Sequence, residues 1–331
     1  MLPNFAIIGA QKAASSAFQE CLMRHPHVFM APGEVRYFEN PEHEATSESE
    51  FEALFEGAFN AKAVGIKRPD YLARPECAPN LHRLLPHAKL IAILRDPVDR
   101  AVSAYFHQMK YGFIPVRPLE EGLSRIIAGE YDYRYPKSAE ILEYGFYKRH
   151  LLHYLEYFRP EQLLVLRVED LRRNPIESVR KAFRFLHVDD SFACEMPMSK
   201  TKRNAGIYSL ARLRLLQLRN RLAYKYNSDR TKIDFDRRPN GIRRVTGRSI
   251  QAADRFLLSG VLANGMPKLS ESMRRQLAEL YDEDLRGLEA LLGWNLSSWR
   301  TAGNPTVADP EFEEDASRFP WTLGVASEWA S

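Results

Sequence analysis

The chain has little cysteine and no long apolar run. Its three cysteines, Cys21, Cys77 and Cys194, lie far apart among 331 residues. They form no C-x-x-C or Cys/His cluster of metal-ligand spacing, so neither a zinc site nor a disulfide framework is expected, and buried, unreactive thiols are the ordinary reading. No stretch approaches the roughly 20 apolar residues of a membrane span. The first apolar run, Phe5–Ala10, is too short for a secretory leader and has no basic flank before it, which leaves the cytoplasm as the expected compartment. The G-x-x-x-x-G-K-[ST] loop of nucleotide triphosphatases is also missing, and no internal repeat is present.

What is present suits a globular chain: 45% of residues are hydrophobic and 27% charged, enough for one large α/β domain with an elaboration. The net charge of +4 is unevenly spread. Between Lys200 and Arg275 stand 19 basic and five acidic residues, a surplus of 14, so the remainder sums to −10. Such a segment attracts an acidic partner or substrate; a solvated surface helix is the plainer alternative.

Apolar, β-branched runs at Phe5–Gly9, Ala63–Lys67, Lys89–Leu94 and Gln162–Val168 read as strands. Helical patterns lie between them, near Ser16–His25, Pro79–Leu85, Pro97–Lys110, Leu119–Ala128, Ser138–Phe158 and Pro175–Leu186. Strands apolar throughout and separated by helices predict a P-loop-like parallel β-sheet covered on both faces, with ligands beyond its carboxyl edge. After Cys194 only helix and loop are expected, near Ile207–Tyr226, Ser249–Ser259 and Leu269–Leu292. The expected organisation is one domain over 1–300, its sheet core at 1–195 and a helical cover at 196–300. An acidic, loosely ordered tail over 301–331 follows.

Two places carry chemistry. In "FAIIGAQKAASSAFQECL" a buried strand ends at Gly9 and a helix opens after a short turn. Free N–H groups at a helix start bind anions; Lys12 adds a cation, and Ser15 and Ser16 add hydroxyl donors, so the turn suits a phosphate or a sulfate. An ordinary strand-to-helix junction is the alternative. In "KLIAILRDPVDRAVSAYFHQ", Asp96, Pro97 and Asp99 explain the start of a helix. Arg95, at the end of a buried strand, needs an anion or a carboxylate there. Ser103 follows two helical turns on.

"IIGAQKAASSAFQECLMRHP", "EVRYF", "IKRPDY" and "LIAILRDPVDRAVSAYFH", in this order, resemble the sulfotransferases that use 3′-phosphoadenosine 5′-phosphosulfate. The likeness is to the heparan sulfate glucosaminyl 3-O-sulfotransferase type and its bacterial relatives, over roughly residues 4–187. It implies that Gln11, Lys12, Ala13, Ala14, Ser15 and Ser16 hold the 5′-phosphosulfate, with Lys12 against the bridging oxygen. Arg95 and Ser103 would hold the 3′-phosphate, completed by Lys202 and Arg203 of a late basic loop. Glu34 in "GEVRYF" would be the general base and Lys67 in "IKRPDY" the lysine near acceptor and sulfuryl group. Three bland alternatives stand beside these roles: Glu34 as a solvated loop carboxylate, Lys67 paired with Asp70, and Ser103 as a helix surface serine. The aromatics Tyr37, Phe38, Tyr105, Tyr144, Phe146 and Tyr147 read first as core, with stacking of one or two on adenine or in the acceptor cleft as the alternative.

The resemblance further implies in-line transfer to an acceptor hydroxyl without a metal, leaving 3′-phosphoadenosine 5′-phosphate. The acceptor would be a hydroxyl-bearing saccharide, lipid or carrier-bound product, acidic ones included, with no specific nucleic acid as partner. Family members commonly carry glycine and threonine where this chain has Ala13 to Ser16, so the turn should keep negative φ or carry strain. A histidine usual in the family is Arg36 here, which leaves Glu34 alone as base. The rival readings are a P-loop kinase and a non-catalytic nucleotide- or polyanion-binding protein.

Overall fold

The computed structural model describes residues 1–131, 133–192, 206–234, 241–254 and 265–300. The chain forms two compact units whose segments alternate in sequence. One comprises 1–96, 146–201 and 278–331, the other 97–145 and 202–277.

The first unit is built on five parallel strands: β1 (Phe5–Gly9), β2 (Val28–Met30), β3 (Ala63–Lys67), β4 (Lys89–Leu94) and β5 (Leu163–Arg167). Their order is β2-β3-β1-β4-β5, with Ile7 opposite both Lys67 and Ile91. β1 is buried along its whole length, as the continuous apolar run predicts for a sheet covered on both faces. Strand β2, only three residues long, was not expected from the sequence; so short a run leaves no period to read. Close approach of the central strands depends on glycine. A Cβ at Gly65 would sit 2.2 Å from the Phe5 ring, and one at Gly9 would sit 2.5 Å from Leu72 Cβ.

The predicted helix over 138–158 is broken. Helices form at Glu140–Glu143 and Tyr147–Leu155, with Gly145 between them. The second starts without a cap of its own, and Asp284 supplies one, accepting from the N–H groups of Lys148 (2.9 Å) and Arg149 (3.2 Å). No short-range pattern announces a cap from so far along the chain.

The second unit holds helices Pro97–Tyr111, Leu119–Ile127, Leu210–Ala223 and Gly241–Ala253. Helix Leu210–Ala223 starts on a Ser209 side-chain cap and packs against Pro97–Tyr111 and Gly241–Ala253. The buried pair Arg212–Asp254 ties it down at 2.8 and 3.1 Å. Here the expectation of helix and loop only is corrected, since β6 (Lys225–Tyr226) and β7 (Ile233–Asp234) form an antiparallel pair. The residues expected as a tail, 301–331, and part of the helix expected over 249–259 lie outside the described residues. The described residues include no helix long and apolar enough to cross a membrane.

Candidate functional site

The carboxyl edge of the sheet gathers the residues that the motifs singled out in the first unit. After β1 the backbone turns through Lys12 at φ 70° and Ala14 at φ 61°, both in the left-handed region. Of the two courses expected, negative φ or strain, the turn takes the second: two non-glycine residues carry left-handed backbone, each at about 1–2 kcal/mol. The turn is held by Ala10 N–H to Ile93 O (2.7 Å) and by Arg95 Nη1 to Lys12 O (3.2 Å). Helix Ser15–Leu22 then begins with Ala14 as its N-cap and no side-chain cap bond, so its first N–H groups face the turn.

Lys67 ends β3, buried to 4% exposure. Its Nζ donates to Ser16 Oγ at 2.9 Å and lies 3.8 Å from Glu34 Oε1. Burial lowers the Lys67 ammonium from its ordinary value, against the pull of Glu34 and with a smaller push from Arg68. The alternative pairing with Asp70 does not occur, since Asp70 accepts from Gln11 Nε2 at 2.9 Å and meets Arg68 Nη2 at 2.8 Å. Glu34 is a loop carboxylate open to solvent, as the plainer alternative had it, but it is ion-paired. Its side chain is 41% exposed, yet Oε2 accepts from Arg68 Nη1 at 2.6 Å.

Arg68 is the residue that sequence reasoning missed. Buried at 6% exposure, it joins Glu34, Glu39 and Asp70 through Nη1, Nε and Nη2. Burial disfavours its charge, but Asp70, Glu39 and Glu34 outweigh that and raise it further. A signal was there: an arginine directly after a buried strand, the argument applied to Arg95, holds equally for Arg68. Glu169 was also missed. It follows β5, where burial pushes its carboxyl up against its backbone hydrogen bond and the pull of Arg172, Arg167 and Arg95.

Not every predicted residue falls in this cluster. Ser103 is half-buried on helix Pro97–Tyr111 of the second unit. Lys202 and Arg203 lie outside the described residues. Tyr37 and Phe38 are core, Tyr37 stacking on Phe51 with ring centroids 4.2 Å apart, and Tyr105 and Tyr147 are fully buried. Cys77 is a free buried thiol, as expected, whereas Cys21 is disulfide-bonded, which the wide spacing of the cysteines had argued against.

A parallel sheet that carries a bare helix start after its first strand, with a buried lysine and arginine at the same edge, defines an α/β protein of the P-loop-like class. Within that class the chain belongs to the sulfotransferase domain family, whose model matches residues 3–205. It is 31% identical over 206 residues to the bifunctional heparan sulfate N-deacetylase/N-sulfotransferase 2 of Bos taurus, covering 56% of this chain and 22% of that protein. It is 25% identical over 197 residues to heparan sulfate glucosamine 3-O-sulfotransferase 5 of Mus musculus, covering 56% of this chain and 54% of that one. The match thus spans about a fifth to a half of these relatives' own length. A crystal structure of a sulfotransferase from Alicyclobacillus acidocaldarius superposes with a TM-score of 0.63 at 22% identity, over 91% of this chain and 99% of that one. That likeness is one of fold.

Proposed function

We propose that the protein moves a sulfuryl group from 3′-phosphoadenosine 5′-phosphosulfate to an acceptor hydroxyl, leaving 3′-phosphoadenosine 5′-phosphate. The observation that carries the reading is the chain Ser16–Lys67–Glu34, which links a hydroxyl of the anion-holding turn to a buried ammonium and on to a carboxylate. The turn fits the donor's phosphosulfate by the chemistry of its groups: open N–H groups at a helix start, two serines, and a buried lysine at its flank. Gln11 to Ser16 with Arg95 would hold the donor. When bound, the donor supplies an electrophilic sulfur and a phosphate leaving group.

The chain's own residues have separable tasks. Glu34, oriented by Arg68, accepts the proton of the acceptor hydroxyl. Lys67 keeps a cation beside Glu34 and Ser16, where burial makes its charge act more strongly than in water. Lys12 stands in the turn to stabilise charge that develops on the leaving oxygen. An acidic saccharide is the acceptor class the basic surplus between Lys200 and Arg275 favours.

Calorimetric titration with 3′-phosphoadenosine 5′-phosphate in EDTA tests the donor assignment. Binding without magnesium is expected, weakened on the order of tenfold or more in Arg95→Ala by loss of a charge-assisted contact. Magnesium-dependent ATP binding with no affinity for the bisphosphate nucleotide would replace this reading with a kinase.

A further inference from the structure

We infer that the second unit carries a binding site for an acidic sugar. A cavity of about 430 Å³ opens beside β6, within the size range of small-molecule sites. The rings of Tyr135, Tyr224 and Tyr226 and the side chains of Gln217, Arg221 and Arg230 line it, and among the described residues no acidic side chain does. Every lining residue belongs to this one unit.

The cavity is built rather than left over. Gln217, Asn220, Arg221 and Tyr224 recur at helical spacing, so one face of helix Leu210–Ala223 and its C-terminal cap forms a wall. The facing wall is the segment after helix Pro97–Tyr111, and side-chain bonds to backbone carbonyls fasten the two. Gln217 Nε2 donates to Ile114 O (2.9 Å), Asn220 Nδ2 to Lys110 O (2.9 Å), Tyr226 OH to Tyr111 O (2.7 Å) and Arg230 Nη2 to Gly112 O (3.0 Å). Gly112 sits at φ 75°, and a Cβ there would come within 2.7 Å of Tyr226 OH, so only glycine fits this corner.

The donors and rings select the ligand's chemistry. Arg230 lies over the Tyr226 ring at 5.2 Å and over Tyr135 at 6.0 Å, which fixes its guanidinium at the cavity. Behind the wall the buried Arg219 donates to Asn220 Oδ1 and stacks on Tyr224 at 5.0 Å, adding positive field. Two guanidinium forks read a carboxylate or a sulfate. Beside the guanidinium-covered faces, the ring edges add apolar surface for a sugar ring, and Gln217 Oε1, whose amide nitrogen bonds Ile114 O, offers an acceptor to its hydroxyls.

The assignment rests on the acceptor class proposed above and does not depend on the donor. Calorimetry with a glucuronate-containing disaccharide, a sulfated disaccharide and a neutral disaccharide of N-acetylglucosamine tests it on the full chain. Both acidic disaccharides are expected to bind well above the neutral one, and the stronger of the two tells whether carboxylate or sulfate is read. Arg221→Gln, an exposed position with no described structural bond, should weaken acidic binding on the order of tenfold while thermal stability and affinity for 3′-phosphoadenosine 5′-phosphate stay as in the wild type. Arg230→Gln should weaken acidic binding likewise, with some loss of thermal stability as its bond to Gly112 O goes. Equal affinity for acidic and neutral sugars, no binding at millimolar concentration, or unchanged affinity in both variants would overturn the site. Sugar binding without nucleotide binding would leave it standing and sink the donor reading instead.

Discussion

Arg68 orders more of the candidate site than any residue the motifs singled out. One buried guanidinium serves three carboxylates, Glu34, Glu39 and Asp70, and thereby sets where Glu34 points. Removing it takes the nearest guanidinium from buried Glu39 and Asp70, while Arg74 reaches Glu39 only at 3.9 Å, so Arg68→Met should lower unfolding stability by about 3–5 kcal/mol. Chemical denaturation of the variant against wild type measures this; a loss under about 1 kcal/mol would show that the carboxylates find other partners. Ala14 makes the opposite case. Its left-handed backbone is strained for alanine and free for glycine, so Ala14→Gly should raise stability by up to about 1 kcal/mol once the flexibility of glycine is deducted. A fall in melting temperature would place the strain elsewhere. Neither residue was legible in the sequence as it functions. Ala14 looked like a departure to be avoided by the backbone, and Arg68 was hidden by the neighbouring Lys67 that carried the motif.

The strands that position the site were legible as elements, because fully buried parallel strands are written as continuous apolar runs. Strands β1, β3 and β4 span the residues the sequence indicates, and β5 differs by one residue at each end. Their close packing was not legible, since it rests on contacts between distant residues. Gly65→Ala would drive a methyl into the Phe5 ring, at a cost of about 1–3 kcal/mol read as a lower denaturation midpoint with unchanged slope. Strand β5 adds a titrating group. Burial raises Glu169 above its ordinary value of 4.5, so just above that pH the folded chain keeps a proton that the unfolded chain has released. Stability from this source is present below pH 4.5 and is lost as pH rises through the folded value. In Glu169→Gln that decline should vanish. Denaturation curves between pH 4 and 7 compare the two proteins, and parallel profiles would contradict the assignment.

At the scale of the whole molecule the motifs located one unit well and the other poorly. The family model ends at residue 205, and beyond it the sequence offered helical patterns, matched by helices Leu210–Ala223 and Glu271–Leu292, and a surplus of basic charge. The structure gives part of that surplus a local setting, with Arg212 against Asp254 and with Arg221 and Arg230 at a cavity. Side chains that meet from segments a hundred residues apart, such as Gln217 on Ile114, leave no mark at short range. What joins the scales is the claim that Glu34 takes the proton during sulfuryl transfer. The direct test incubates sulfur-labelled 3′-phosphoadenosine 5′-phosphosulfate in EDTA with a panel of hydroxyl-bearing saccharides and phenols, and follows the label by mass spectrometry. The wild type should label at least one acceptor, and Glu34→Gln should label it at least about a hundredfold more slowly while binding the nucleotide product equally well. Transfer by Glu34→Gln at the wild-type rate, or no labelled acceptor from a wild type that transfers phosphoryl groups from ATP and magnesium, would contradict the account.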